Sequence, residues 1–263
     1  MKYQEIADKA RLDMIDRSEV IGESMHWGGA FSLMEIMSVL LCDIYNKDRD
    51  VFILSKGHAA GGLYAIMHRL EMISDDLWNT YRMDGSELSE LIEFNHKLGF
   101  ACSGGSLGLG PSYGEGVAIL KKRLNQEGHV YVVIGDGEAN EGSVWEAFAS
   151  IAHYSLDNFT LIIDKNNLQS DGDTKMVMKI PNLSECLKGF GWNTFEIDGH
   201  DCESILRVFS NNESNGRPTA VICNTIKGKG VSFMEGESVW HDRLMSMSEL
   251  NLAREELTIR VAD

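Results

Sequence analysis

The chain has 263 residues, 43% hydrophobic and 24% charged, which is typical of a folded globular protein rather than a disordered one. Its formal net charge of −16 argues against binding to nucleic acid or to an anionic membrane surface, because both partners require a basic surface. The five cysteines are scattered with no C-x-x-C pair, and no signal peptide is recognised, so we expect a reduced, cytoplasmic protein. No apolar run approaches the ~20 residues of a membrane span.

The first half of the chain alternates helical and strand-like patterns. Apolar residues at helical spacing predict helices at 3–20, 31–45, 59–70 and 74–83. The second of these is too apolar for an exposed helix, so we expect it to be buried. The last one opens with Ser74 and two aspartates, which favour a helix start. A short apolar strand is predicted at 51–54, and residues 95–116 are Gly-rich and irregular.

The second half repeats the alternation more regularly. Strands are predicted at 130–134, 159–164, 192–197 and 219–226. Helices are predicted at 112–126, 143–155, near 184–189, at 202–210 and at 246–260. Short apolar strands between helices indicate an α/β fold, a mostly parallel sheet with helices on both faces. No internal repeat or linker divides the chain, so we predict a single domain over 1–263.

The most informative segment is YVVIGDGEANEG, in which a strand ends at Ile134 and runs into Gly135-Asp136-Gly137. The next predicted strand ends in Asp164-Lys165-Asn166-Asn167. Successive parallel strands are usually neighbours, so Asp136 and Asn166 should meet at the carboxyl edge of the sheet, where such sheets bind ligands. A carboxylate and an amide oxygen suit a hard divalent cation. The sequence therefore predicts a metal-anchored diphosphate.

The order of strand, GDG, helix, strand and NN resembles the thiamine-diphosphate motif, and its surroundings resemble the transketolase family in the split form encoded by two genes. The resemblance runs from about Ser24 to His241 and rests on SMHWGGAFSLMEIMSVLL, FILSKGHAAGGLYA, SGGSLGLG, GDGEANEGSVWEA, DKNNLQSDG, IDGHD and IKGKGVSF. It implies the thiamine-diphosphate-binding fold of the diphosphate-binding (PP-type) domain. It also implies transfer of a two-carbon ketol unit between sugars or sugar phosphates.

The resemblance assigns the cofactor residues. Asp136, Asn166 and the backbone carbonyl of Leu168 would ligate Mg²⁺ or Ca²⁺. The N–H group of Gly137 would bind the diphosphate of thiamine diphosphate. His58 would touch the phosphates or lie near the thiazolium ring.

The resemblance also assigns groups for proton transfer and for contact between subunits. His26, His96 and His241, together with His58, match catalytic histidines that bind sugar hydroxyls or relay their protons. Histidine titrates in the range that such transfers require. Glu141 and Glu146 match acidic residues near the dimer interface.

Some positions depart from the family pattern. Gly105 and Leu107 would line the aminopyrimidine pocket, but Leu109 stands where a glutamine is usual. Ser170 replaces a common isoleucine, and Asp-Arg-Leu follows His241 in place of Gly-Lys-Ala-Pro. These departures predict a specialised sugar rather than the ordinary pentose phosphates.

The glutamate that activates the cofactor in this family belongs to a pyrimidine-binding domain. The chain ends soon after its KGKG segment, so we expect that domain on a partner chain, the C-terminal subunit of a split transketolase. The resemblance implies an α2β2 assembly with the cofactor between subunits. The chain alone should bind the cofactor weakly and should not catalyse the reaction.

Several alternatives remain at this point. The loose Gly-rich segment 108–114, followed by Asp136, resembles a dinucleotide fingerprint, although no credible strand precedes it. Another thiamine-diphosphate enzyme is possible, such as a 2-oxoacid dehydrogenase subunit or a deoxyxylulose-phosphate-type synthase. A non-catalytic scaffold subunit with the same fold is a further candidate. Lys227 and Lys229 either attract phosphate or lie in a solvated loop.

Overall fold

The predicted parallel sheet is present in the computed structural model, which describes residues 2–180, 182–210 and 215–262. The strands are β1 (Val51–Leu54), β2 (Val130–Gly135), β3 (Phe159–Lys165), a hairpin of β4 (Leu168–Gln169) and β5 (Gly172–Asp173), β6 (Asn193–Asp198) and β7 (Thr219–Asn224). The main sheet has the order β1-β2-β3-β7-β6, and every pair in it is parallel. The prediction of a mostly parallel sheet is therefore confirmed.

Helices connect most of these strands. They are α1 (Lys2–Ile21), α2 (Trp27–Phe31), α3 (Met34–Val39), α4 (Ala60–Arg69), α5 (Asp75–Trp78), α6 (Gly110–Arg123), α7 (Gly142–His153), α8 (Thr174–Met178), α9 (Leu183–Phe190), α10 (Cys202–Ser210) and α11 (Met247–Ala262). Among the described residues, no helix is long and apolar enough to cross a membrane.

The two faces of the sheet carry separate apolar layers, because successive side chains of a strand point to opposite faces. Val132 and Ile134 of β2 pack with α6, α7 and α9. Tyr131 and Val133 pack with α1 to α4, α10 and α11 on the other face. Helices on both faces, as predicted, bury the central strands and leave their carboxyl ends available for a site, whereas the edge strand β6 is partly exposed.

The structure corrects two predicted helices and agrees with the absence of a strand before the Gly-rich segment. The helix predicted over 31–45 is buried but divided, since α2 ends at Phe31 and α3 begins at Met34. At the break, the Ser32 hydroxyl donates to the backbone oxygen of Gly29 (3.2 Å) and to Asp164 (2.5 Å). The helix predicted over 74–83 ends at Trp78, although Ser74 does cap it at the amide of Leu77 (3.2 Å). No strand of the main sheet lies between residues 55 and 129, so the dinucleotide interpretation lacks the strand it requires.

A buried ion pair joins α1 to α3. The guanidinium of Arg11 donates to both carboxylate oxygens of Glu35 at 2.7 Å, to Asp8 at 2.9 Å and to the carbonyl of Phe31 at 2.8 Å. His200 lies 3.0 Å from the same glutamate. Burial acts to raise the pKa of Glu35, but Arg11 and His200 outweigh it and hold that pKa well below its ordinary value.

Arg11→Met should lower the free energy of unfolding by about 3–5 kcal/mol, because it leaves the Glu35 carboxylate buried without its cation. Adding Glu35→Gln should recover part of the loss, since the amide removes the charge but can still accept from His200. Urea denaturation of both variants measures this.

The effect should also depend on pH. The folded-state pKa of Glu35 is lowered, so the stabilising contribution is present above the unfolded value of about 4.3 and is lost as the pH falls below it. An Arg11→Met deficit that stays constant down to strongly acidic pH would contradict the assignment.

Candidate functional site

The site lies where β2 and β3 end. The two strands run in register to Gly135 and Asp164, and the next amide, that of Asp136, donates to the carbonyl of Asp164 at 3.1 Å. Beyond this point a cavity of about 240 Å³ opens, and Asp136, Asn166 and Leu168 line it together. The expected meeting of Asp136 and Asn166 is therefore observed. It follows from the pairing of β2 with β3.

The three oxygen donors are held by local turns. Asn167 has a left-handed backbone (φ 62°), and its amide donates to Asp136 Oδ2 at 2.7 Å. The amide of Leu168 donates to Asn166 Oδ1 at 3.1 Å. The amide of Gly137, assigned above to the diphosphate, here donates to Asp136 Oδ1 at 3.0 Å.

The carboxylate of Asp136 lacks sufficient positive charge around it. Burial and the neighbouring Asp164 raise its pKa to about 6, despite the two amides that donate to it. A hard divalent cation would supply the missing charge, and a carboxylate, an amide oxygen and a backbone carbonyl are the donors it prefers. The residues present therefore fit such an ion.

Asp164, whose role was not predicted from the sequence, holds a lysine of the site in place. Its fully buried carboxylate accepts from Lys56 Nζ and from Ser32 Oγ, each at 2.5 Å, and from the hydroxyl of Thr225. Burial acts to raise its pKa, but Lys56 and the two hydroxyls outweigh it, so the pKa lies below its ordinary value. Asp164 therefore stays ionised and holds Lys56, which also donates to Gly29 O at 2.9 Å. The signal available in the sequence was an aspartate at the end of a buried strand.

Lys227 is buried, so it does not lie in a solvated loop, which was one of the two interpretations offered by the sequence. Its ammonium lies 3.4 Å from the carbonyl of Leu168 and 3.1 Å from His241 Nδ1. Its methylene chain packs on Gly28, where an added Cβ would lie 2.6 Å from Lys227 Cγ. Burial and the charge of Lys56 lower its pKa to about 8. Two ammonium groups in one cavity favour an anionic ligand.

Three of the four predicted histidines form a cluster. The ring centroids of His26, His58 and His241 lie 5.2–5.6 Å apart. Burial and Lys56 hold the pKa of His58 well below its ordinary value, and burial and Lys227 lower that of His241 to about 4. Both imidazoles are therefore neutral at pH 7. His96 is exposed in a turn and does not line the cavity.

The Gly-rich loop closes one side of the cavity. Gly57 and Gly104 touch so closely that a Cβ on Gly57 would lie 2.8 Å from the Cα of Gly104. Leu107 follows and lines the cavity, whereas Gly105 does not. Gly105 has a φ of 138°, which a side chain would disfavour.

Three glutamates near the cavity have different surroundings. Glu138, which was not predicted from the sequence, is buried and accepts from Ser55 and from the amides of Gly108 (2.8 Å) and Gly135 (3.2 Å). It thereby ties the Gly-rich loop to the end of β2. Glu141 lines the cavity, and Glu146 is exposed on α7.

The sequence profile of the family described as transketolase, thiamine diphosphate binding domain, matches residues 3–262. The chain belongs to the transketolase family. One subunit of the apulose-4-phosphate transketolase of Actinobacillus succinogenes is 36% identical over 270 aligned residues, which cover 98% of this chain and 97% of that protein. One subunit of the 6-deoxy-6-sulfo-D-fructose transketolase of a Clostridium species is 31% identical over 88% of each chain.

Solved transketolases have the same fold. The transketolase of Campylobacter jejuni superposes with a TM-score of 0.88 at 27% identity and covers 97% of this chain. This transketolase-family chain spans 42% of the length of that protein. The predicted thiamine-diphosphate-binding fold is therefore confirmed.

Lys227→Met should weaken the binding of thiamine diphosphate while leaving the ligand-free chain at least as stable. The substitution removes one of two neighbouring buried ammonium groups, which repel each other but together attract the diphosphate. Lys229→Met is the matched control, since Lys229 is more exposed and pairs with Glu235 at 3.3 Å. Calorimetry and thermal unfolding measure the two effects, and equal affinities for both variants would contradict the role of Lys227.

Proposed function

We propose that this chain is the diphosphate-binding subunit of a split transketolase that transfers a two-carbon ketol unit between sugars or sugar phosphates. The observation that carries the proposal is the cavity at the ends of β2 and β3. There, the oxygen donors of Asp136, Asn166 and Leu168 lie beside two buried lysines. Family membership over almost the whole chain supports the same function.

The residues divide the binding of the cofactor between them. Asp136, Asn166 and the carbonyl of Leu168 would hold Mg²⁺ or Ca²⁺, whose charge offsets the buried carboxylate. Lys227, whose hydrogen-bond partners are neutral, would supply most of the positive charge that a diphosphate requires, since Lys56 is paired with Asp164. Leu107, which lines the cavity, would contact the aminopyrimidine ring, and Gly105 would shape the loop that carries Leu107. The amide of Gly137 is close to the metal donors.

Thiamine diphosphate, when bound, supplies the carbanion and the electron sink, and the protein provides positioning and proton transfer. The neutral imidazole of His58 would accept a hydrogen bond from a sugar hydroxyl or take its proton, whereas the Nε2–H group of His241 would donate to a sugar oxygen. An ammonium group only donates, so Lys227 fixes Nδ1 of His241 as the acceptor and leaves the hydrogen on Nε2. His26 completes the cluster. We assign no proton transfer to His96, because it is exposed outside this group.

The names of the relatives guide the choice of substrate and partner. Two are subunits of transketolases for apulose-4-phosphate and for 6-deoxy-6-sulfo-D-fructose, which are specialised sugars. We infer a specialised sugar or sugar phosphate here as well. A second chain would carry the pyrimidine-binding domain, with Glu141 and Glu146 near the contact in an α2β2 assembly.

The decisive experiment titrates thiamine diphosphate and Mg²⁺ by calorimetry into this chain alone and into its mixture with a C-terminal transketolase subunit. Tight binding in the mixture alone is the expected result, because the cofactor would lie between two chains. Tight binding by the lone chain would overturn the split arrangement. Failure of both to bind would favour a scaffold subunit. Cofactor binding with activity only on 2-oxoacids would favour another thiamine-diphosphate enzyme.

Asp136→Ala should abolish the Mg²⁺-dependent part of cofactor binding by the assembled enzyme, because it removes the only charged member of the proposed ligand set. Asp84→Asn, in an exposed turn, provides the control for a lost negative charge. Calorimetry with and without a chelator separates the metal-dependent binding from the remainder. Unchanged binding by Asp136→Ala would refute the metal assignment.

A further inference from the structure

The ring of His26 has one nitrogen hidden from solvent. Nδ1 is buried and makes no hydrogen bond of good geometry, which is uncommon for a polar atom. The carboxylate of Glu90 approaches it, with Oε1 at 3.3 Å. Nε2 has no hydrogen-bond partner among the described residues. The ring therefore presents one nitrogen to a carboxylate and keeps the other free.

Glu90 is itself held in place. Its second oxygen lies 3.3 Å from Nη2 of Arg82, a side chain that is 90% buried. Arg82 also donates to the backbone oxygen of Ser24 and pairs with Glu23 at 2.9 Å. Ser24 is two residues before His26, so one arginine ties the loop of Glu90 to the segment that carries the histidine. This positions the carboxylate rather than leaving it a mobile surface group.

We propose that Glu90 is a positioning residue that orients His26 and stabilises the imidazolium formed when His26 takes a proton from a sugar hydroxyl. This inference rests on the transketolase function proposed above. The contact at 3.3 Å requires only a small rotation to become a hydrogen bond, and catalytic hydrogen bonds often tighten when substrate binds. With Nδ1–H donating to Glu90, the lone pair of Nε2 faces away from the carboxylate and is free to accept the proton.

The proton balance is simple. The hydroxyl O–H bond breaks as the N–H bond at Nε2 forms, and the ring becomes cationic while Glu90 remains an anion. The neutral rings of His58 and His241 are the aromatic neighbours of His26, and the charges near those rings, Lys56 and Lys227, are positive. These neighbours give the cation no compensation.

The compensating charge must therefore come from the carboxylates close to His26, and Glu90 is the one at 3.3 Å. Asp242 also places an oxygen within 4.8 Å of the ligand atoms of His26 and Glu90. Such a trio resembles a cation site. However, Arg82 occupies the second oxygen of Glu90 and leaves Oε1 for His26, which favours proton handling over metal binding.

The first test observes the tautomer of His26 in the full chain, so it does not depend on activity. Long-range proton–nitrogen NMR spectra distinguish hydrogen on Nδ1 from hydrogen on Nε2, and His26→Gln identifies the signal. We expect the Nδ1–H form in the wild-type chain. We expect a shift towards the Nε2–H form in Glu90→Gln and an intermediate result in Glu90→Asp. Glu93→Gln, an exposed change in the same loop, should match the wild type.

The second test uses the complex with the partner subunit. Glu90→Gln should lower kcat roughly 10- to 100-fold, within the range of acid–base contributions, with little change in KM or cofactor affinity. Glu90→Asp should restore part of the rate. Asp242→Asn removes a nearby charge without the close contact and should have the smaller effect.

An unchanged tautomer in Glu90→Gln would overturn the proposal, and so would an equal loss of kcat in Glu90→Gln and Asp242→Asn. If the wild-type complex has no transketolase activity, the proposed function fails. The NMR result still decides whether Glu90 orients His26.

Discussion

The site depends on one buried carboxylate. Asp164 has no access to solvent, and its three partners come from three parts of the chain: Ser32 after α2, Lys56 after β1 and Thr225 after β7. Removing the charge or its partners would leave an unpaired ion or buried polar groups, each costly in the interior. The buried centre formed by Asp164 and its three partners thus lies at the carboxyl edge of the sheet, and the cavity beside it stays open for a ligand.

The distribution of charge follows from this arrangement. The chain carries a net charge of −16, yet its cavity contains two buried lysines. Lys56 is neutralised by Asp164, whereas Lys227 has only neutral acceptors within hydrogen-bond distance, a backbone carbonyl and His241. The free positive charge lies beside the oxygen donors of Asp136 and Asn166. A diphosphate with a divalent cation would therefore find both charges that it requires in this cavity, although the chain as a whole is acidic.

Sequence patterns predicted most of the fold, because buried strands and amphipathic helices have clear periodicities. They also predicted the meeting of Asp136 and Asn166, since parallel pairing brings strand ends together. They did not predict the division of the 31–45 helix or the contact that Ser32, at the break, makes with the distant Asp164. The burial of Lys227 could not be predicted from the sequence either, because it requires Gly28 to lie against a residue about 200 positions later. Local patterns do not encode such long-range contacts.

The strand order also constrains how the protein is made. β7 lies between β3 and β6, although it is the last strand to leave the ribosome. Until residues 219–224 emerge, the growing chain exposes an unpaired apolar edge on β3, and such edges favour aggregation. Thr225, at the end of that strand, also supplies the last partner of Asp164. Completion of the sheet and completion of the ionic centre are therefore the same late event in synthesis, and a chain truncated before β7 lacks both.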